Sequence, residues 1–194
     1  MRIIAGKKRG MKLFGFEGES IRPTTDRVKE NIFNMIAPHV ADAVVLDLFA
    51  GTGALSLEAI SRGAAAAVLC EQSAPSQKII RQNLSKTGFS EACTLICGDC
   101  FHYLVACCQK FDLIFLDPPY NTGLLEKALH EIVRRGCLAD GGLVVAECDG
   151  PERPEAVRGL TLVKERKYGR TYILIYTLDG RDSVYENSGV PGQL

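Results

Sequence analysis

The stretch FDLIFLDPPY, residues 111–120, decides how the chain folds. Phe111, Leu113, Ile114, Phe115 and Leu116 form a nearly unbroken apolar run, the pattern of a strand covered on both faces of a parallel sheet. The run stops at Asp117. Pro118 and Pro119 cannot donate to a ladder, and each confines its predecessor to extended geometry, so a rigid turn sits at the strand's carboxyl end. That is where open α/β sheets bind ligands. The carboxylate of Asp117, free carbonyls and the ring of Tyr120 suit a planar group carrying an amine: the oxygens accept its N–H bonds and the ring stacks on its face. Asp and Pro are equally ordinary in a strand-ending turn, so the neighbours must decide.

Upstream, strands and helices alternate. Residues 44–49 read as a strand, 53–62 as a helix stopped by Gly63, 66–70 as a strand, and 75–87 as a helix ended by Gly88. Residues 93–97 are a third strand, followed by a helix through Cys108. Downstream, 124–135 is a crossover helix and 143–148 a fifth strand. Strands separated by helices of this length predict right-handed crossovers and a parallel sheet with helices on both faces. The ending differs: 160–167 and 171–178 are strand-like runs joined only by Tyr168-Gly169-Arg170, too short for a helix, so they pair antiparallel. The fold predicted is α/β and Rossmann-like, a seven-stranded, mostly parallel sheet with a C-terminal antiparallel hairpin. At the other end, pieces around Ile3-Ile4 and Met11 to Leu13 predict a short hairpin. A helix after Arg22-Pro23-Thr24-Thr25-Asp26 follows, with Val28, Ile32, Phe33, Met35 and Ile36 as its stripe. One domain spans 1–178, its first 40 residues an extension, and 179–194 reads as a flexible tail.

A chain of 194 residues accommodates one well-buried domain, and 23 basic against 23 acidic side chains exclude a generally polyanion-binding protein. Local clusters remain. Residues 1–12 hold Arg2, Lys7, Lys8, Arg9 and Lys12 without an acid, and 164–170 hold four basic residues, Arg170 among them, against Glu165. Each reads as a phosphate-contacting patch or as a solvated face. No apolar run approaches the ~18 residues of a membrane helix, and charged residues interrupt any secretory core, so a cytoplasmic protein with eight reduced thiols is expected. Cys93, Cys97 and Cys100 show the C-x3-C-x2-C spacing of an iron–sulfur triad, but on a strand rather than a loop, which favours coincidence. His39, His102 and His130 are scattered, and no metal is expected.

Between the first strand and its helix lies Asp47-Leu48-Phe49-Ala50-Gly51-Thr52-Gly53. Its glycines let a ligand approach the backbone, and the helix start favours an anion. Leu57 stands where a dinucleotide fingerprint requires a third glycine, so a pyrophosphate cradle is disfavoured. Glu71 ends the second strand 20 residues beyond Gly51, the place of a carboxylate that accepts ribose hydroxyls, with a surface turn as the alternative. Asp99 ends the third strand, able to accept from an adenine amine or to cap the next helix.

Four segments, RPTTDRVKEN (22–31), LDLFAGTGALSLEAISRG (46–63), DLIFLDPPY (112–120) and Tyr168 to Thr171, closely resemble the bacterial 16S rRNA guanine-N2 methyltransferase family. The resemblance runs from Met1 to about Leu178 with motifs in family order, and implies a class I methyltransferase. It implies methyl transfer from S-adenosylmethionine to the exocyclic amine of a guanine in 16S rRNA of the small ribosomal subunit. It places Asp47, Gly51 and Gly53 around the methionine part of that cofactor, Glu71 at its ribose, and Asp99 with Cys100 at its adenine, with Phe49 and Thr24 among the cofactor-binding residues. Asp117, Pro118 and Tyr120 become catalytic, holding the base with Pro119; Lys7, Lys8, Arg9, Arg22, Arg27 and Arg170 become RNA contacts. No membrane partner is implied, and a monomer is expected. A DNA adenine-N6 methyltransferase, which would normally add a target-recognition domain, and a non-catalytic adenosine-binding module are the alternatives.

Overall fold

Five parallel strands form where expected: β1 (Val44–Asp47), β2 (Ala66–Glu71), β3 (Cys93–Cys97), β4 (Phe111–Leu116) and β5 (Leu138–Asp149). The helices α2 (Ala54–Ser61), α3 (Ala74–Thr87), α4 (Cys100–Ala106) and α5 (Leu124–Arg135) connect them, and α1 (Pro23–Met35) precedes them. The antiparallel strands β6 (Leu160–Tyr168) and β7 (Thr171–Leu178) complete one sheet in the order β3-β2-β1-β4-β5-β7-β6. This computed structural model describes residues 1–16, 23–120, 122–154 and 156–180, with backbone alone at 23–25 and 152. Arg22, the side chain of Thr24 and the tail from 181 to 194 therefore lie outside the described residues.

Three boundaries depart from the sequence reading by two residues or more, one of them the end of α4, which stops at Ala106 rather than Cys108 because Cys107 is already extended (φ −78°, ψ 125°). β1 stops at Asp47, because from Leu48 the backbone leaves the ladder and turns through Gly51 and Gly53 (φ 54° and 79°), the left-handed region that favours glycine. β5 begins at Leu138 rather than 143, pairing Phe111 with Leu138 across a register shift before Leu113. Gly142 permits this: a Cβ there would lie 2.9 Å from the Asp112 carbonyl oxygen.

The β4 side chains alternate between two cores. Leu113 and Phe115 pack with Ile32 and Phe33 of α1, Leu57 of α2 and Ile80 of α3; Ile114 and Leu116 pack with Leu104 of α4 and Leu129 of α5. Removing Phe111, Leu113, Ile114, Phe115 and Leu116 from water contributes on the order of 10 kcal/mol.

The amino-terminal hairpin is a single bridge, Arg2 to Lys12, closed by a 3-10 turn over Gly6–Lys8. What holds it is the end of α2. Glu58, wholly buried, accepts from the amides of Ile4 (2.7 Å) and Ala5 (3.0 Å) and from Arg62 Nε (2.7 Å), and pairs with the buried Lys29 at 3.4 Å. Burial outweighs Glu58 in setting Lys29, whose ammonium is held below its usual pKa. Gly6 meets α2 so closely that a Cβ would lie 1.8 Å from the Ser61 carbonyl oxygen. At the other end Asp179 accepts from the amide of Gly159 (3.0 Å) and from Thr161 Oγ1 (2.7 Å), so the ordered chain continues past β7.

Candidate active site

The strand order reverses between β1 and β4, and the crevice outside their carboxyl ends is where such sheets take ligands. A cavity of about 610 Å³ lies there, bordered by Phe49, Gly51, Glu71, Asp99, Cys100 and the whole turn Asp117 to Tyr120. A second, of about 360 Å³, is walled by Val28, Ile32 and Leu55 and also includes Asp117, Tyr120, Glu147 and Thr171. Asp117 and Tyr120 border both cavities. The rigid turn is thus a shared lip.

The glycine loop is fixed from beside and beneath. Glu71 accepts from the Gly51 amide through Oε2 (2.9 Å) and from the Ser73 amide through Oε1 (2.7 Å), which ties the ends of β1 and β2 and leaves each oxygen a second lone pair. Asp47 and Gly53 do not border the large cavity; they lie under the loop. Gly53 packs on Leu69, where a Cβ would approach to 3.2 Å. Asp47 is 1% exposed; its Oδ2 accepts from Ser56 Oγ at 2.9 Å, while Oδ1 is buried without a partner. Burial first, and the charge of Glu71 to a lesser degree, raise the Asp47 carboxyl to about 7 against the hydrogen bonds it accepts.

Asp99 caps α4, accepting from the Phe101 amide at 2.6 Å, yet still borders the large cavity, so capping and ligand contact are compatible. Burial and the neighbouring Asp99 push the Cys100 thiol up to about 12, which makes it an apolar wall rather than a nucleophile. Cys93 and Cys97 stand at opposite ends of β3, ~13 Å apart along the strand, so the three cysteines do not converge. Among the described residues no group of three His, Cys, Asp or Glu could hold a metal ion.

At the lip, Asp117 is exposed to solvent where it borders both cavities, yet its carboxyl stands among closely packed neighbours. Burial, then the charges of Glu147 and Asp47, lift its pKa well above the usual carboxylate range. Glu147, also raised by burial, accepts from the Tyr120 hydroxyl at 2.9 Å. The register that pairs Leu116 with Ala146 sets the next residues, Asp117 and Glu147, side by side. Sequence reasoning missed Glu147; the only signal was an acid closing an apolar strand, as Asp117 does. It also missed Phe16, which borders the large cavity. Asn83 of α3 positions that segment, accepting from the Phe14 amide (2.7 Å) and donating to the carbonyls of Phe14 (3.1 Å) and Thr52 (2.9 Å).

The basic residues separate into two groups. Arg9 and Arg27 border one groove with Arg2, Asp26 and Glu30, beside the 3-10 turn that carries Lys7 and Lys8. Arg170 lies at the β6–β7 turn, largely exposed, and pairs with Asp149 at 2.7 Å.

Comparison with known proteins follows the same outline. Residues 1–177 match the family model described as conserved hypothetical protein 95. The chain is 38% identical over 178 residues to the ribosomal RNA small subunit methyltransferase D of Escherichia coli, covering 91% of this chain and 89% of that one. The protein of that name from Haemophilus influenzae is 33% identical, with 91% and 93% covered. A solved structure described as a methyltransferase of Escherichia coli superposes with a TM-score of 0.82 at 32% identity, covering 93% of this chain and 99% of that one.

Proposed function

The chain belongs to the family described as conserved hypothetical protein 95, that of the small-subunit rRNA methyltransferases D, and on that premise we propose that it methylates the exocyclic N2 amine of a guanine in 16S rRNA with S-adenosylmethionine as donor. The single observation that carries the reading is the lip: Asp117 and Tyr120 border both a cavity suited to an adenosine and a second one large enough for a base. When bound, S-adenosylmethionine supplies a methyl group as an electrophilic carbon on a sulfonium.

The residues present fit that cofactor. The unpartnered Oδ1 of Asp47 leaves negative charge beneath the glycine loop, where an ammonium is stabilised. The spare lone pairs of Glu71 accept ribose hydroxyls, Asp99 accepts an adenine amine, and Phe49 and Cys100 supply apolar wall. At the lip the chain acts on the substrate. A base amine has its lone pair delocalised into the ring; the carboxylate of Asp117 and the carbonyl of Pro118 accept its N–H bonds and return density to nitrogen. Tyr120 presents its ring to the base, and the raised affinity of Asp117 for protons suits it to take the proton the amine loses. Alignment supplies the rest, with no covalent enzyme intermediate. Arg9, Arg27, Lys7 and Lys8 face phosphate along the amino-terminal groove, with Arg170 a further contact across the lip.

Asp117→Ala tests the assignment. Methylation is expected to vanish while S-adenosylmethionine binding persists by calorimetry; full activity of the variant would refute the role.

A further inference from the structure

Resting on the guanine reading above, we infer that Glu147 selects the base, accepting the N1–H of guanine while Asp117 accepts from the neighbouring amine. Four observations lead there. The β4–β5 register sets the two carboxyls side by side at the strand ends. Both border the smaller cavity, where Val28, Ile32, Ala54 and Leu55 offer apolar surface that matches the faces of a base, beside Met1, Lys29 and Thr171. The hydroxyl proton of Tyr120 is already given to Glu147 Oε1, so the lip offers the base acceptors rather than donors. Lys29, at the border, donates to the Arg2 carbonyl at 2.6 Å and pairs with Glu58.

Two adjacent acceptors require a guest with adjacent donors. Guanine presents N1–H beside its N2 amine, three N–H bonds on one edge. Adenine and cytosine present an amine beside a ring nitrogen lone pair, which a carboxylate repels. Burial raises both carboxyls, and the charge of Glu147 lifts Asp117 further; a donor-only edge relieves that repulsion. Glu147 therefore discriminates by what it refuses as well as by what it holds.

The test uses small-subunit particles reconstituted with guanine, 2,6-diaminopurine or adenine at the methylated position. Diaminopurine keeps the amine at C2 but carries a lone pair at N1. Wild-type protein is expected to prefer guanine in kcat/KM. Glu147→Gln, whose amide can donate to N1, is expected to shift the guanine-to-diaminopurine ratio toward diaminopurine by roughly 10- to 100-fold. Glu147→Ala is expected to bring the ratio near unity. A wild-type ratio in both variants, with S-adenosylhomocysteine binding intact by calorimetry, overturns the inference and leaves Glu147 only as a support for Tyr120. Should the variants fail to bind S-adenosylhomocysteine, the wild-type ratio decides: equal use of the two bases overturns the inference. Wild-type protein that methylates no guanine overturns the proposed function itself, and this inference with it.

Discussion

Replacing Asp47 by Asn tests the electrostatics beneath the glycine loop. Burial lifts this carboxyl from 3.8 to about 7. A carboxyl whose folded pKa lies above its unfolded one binds more protons when folded across that interval. Its contribution to stability is therefore greatest below about pH 4, falls as pH rises toward 7, and is level above. A shift of about three units at ~1.36 kcal/mol each sets a ceiling on the order of 4 kcal/mol. Asn keeps an oxygen for Ser56 Oγ, now at 2.9 Å from Oδ2, but places an N–H where Oδ1 has no partner, at a cost of about 1–3 kcal/mol. The variant is thus expected to gain roughly 1–3 kcal/mol at pH 8, by difference of those two terms, and to lack the decline between pH 4 and 7. Urea unfolding of both proteins across that range reads the difference curve, in which the other titrating groups cancel. Cofactor affinity should fall although stability rises, because the charge opposite the ammonium is gone. Parallel stability curves for the two proteins would refute the reasoning.

Three further outcomes follow from the same geometry. Glu58→Ala leaves Lys29 buried without its partner and frees the amides of Ile4 and Ala5; a loss of about 3–5 kcal/mol is expected in urea unfolding, with faster hydrogen exchange at those two amides. Gly6→Ala is expected to undock the amino-terminal turn, since its Cβ would meet the Ser61 carbonyl and its φ is +80°; amide exchange at Lys8, which donates to Ser61 Oγ, reports it. Reversing the charges of Lys7, Lys8 and Arg9 should weaken association with 16S rRNA and lower the slope of log affinity against log salt by roughly two to three; an unchanged slope returns these residues to a solvated face.

Much of this architecture is written locally. The run from Phe111 to Leu116 is apolar at nearly every position because both its faces are covered, and the two prolines mark its end, so strand and lip were legible together. The glycines that turn the chain after Asp47 are local as well. Other features depend on residues far apart in sequence. Glu147 becomes part of the lip only through a register with β4, and nothing in its own neighbourhood distinguishes it from an acid at a strand end. The early start of β5 needs the close approach of Gly142 to Asp112. Asp47 looked like a ligand contact from its place in the loop, yet it lies below the cavity. Its single unpartnered oxygen, which only packing reveals, is what keeps it in the cofactor argument. The three-cysteine spacing misleads for the opposite reason, since proximity in sequence along an extended strand is separation in space.

The most direct measurement of the central claim is to incubate the protein with labelled S-adenosylmethionine and either naked 16S rRNA, assembled small subunits or adenine-containing DNA, and to map the modified nucleoside. The account predicts N2-methylguanosine at one position of 16S rRNA, absent with Asp117→Ala. Label in N6-methyladenine of the DNA, or no transfer to any of the three substrates, would contradict it.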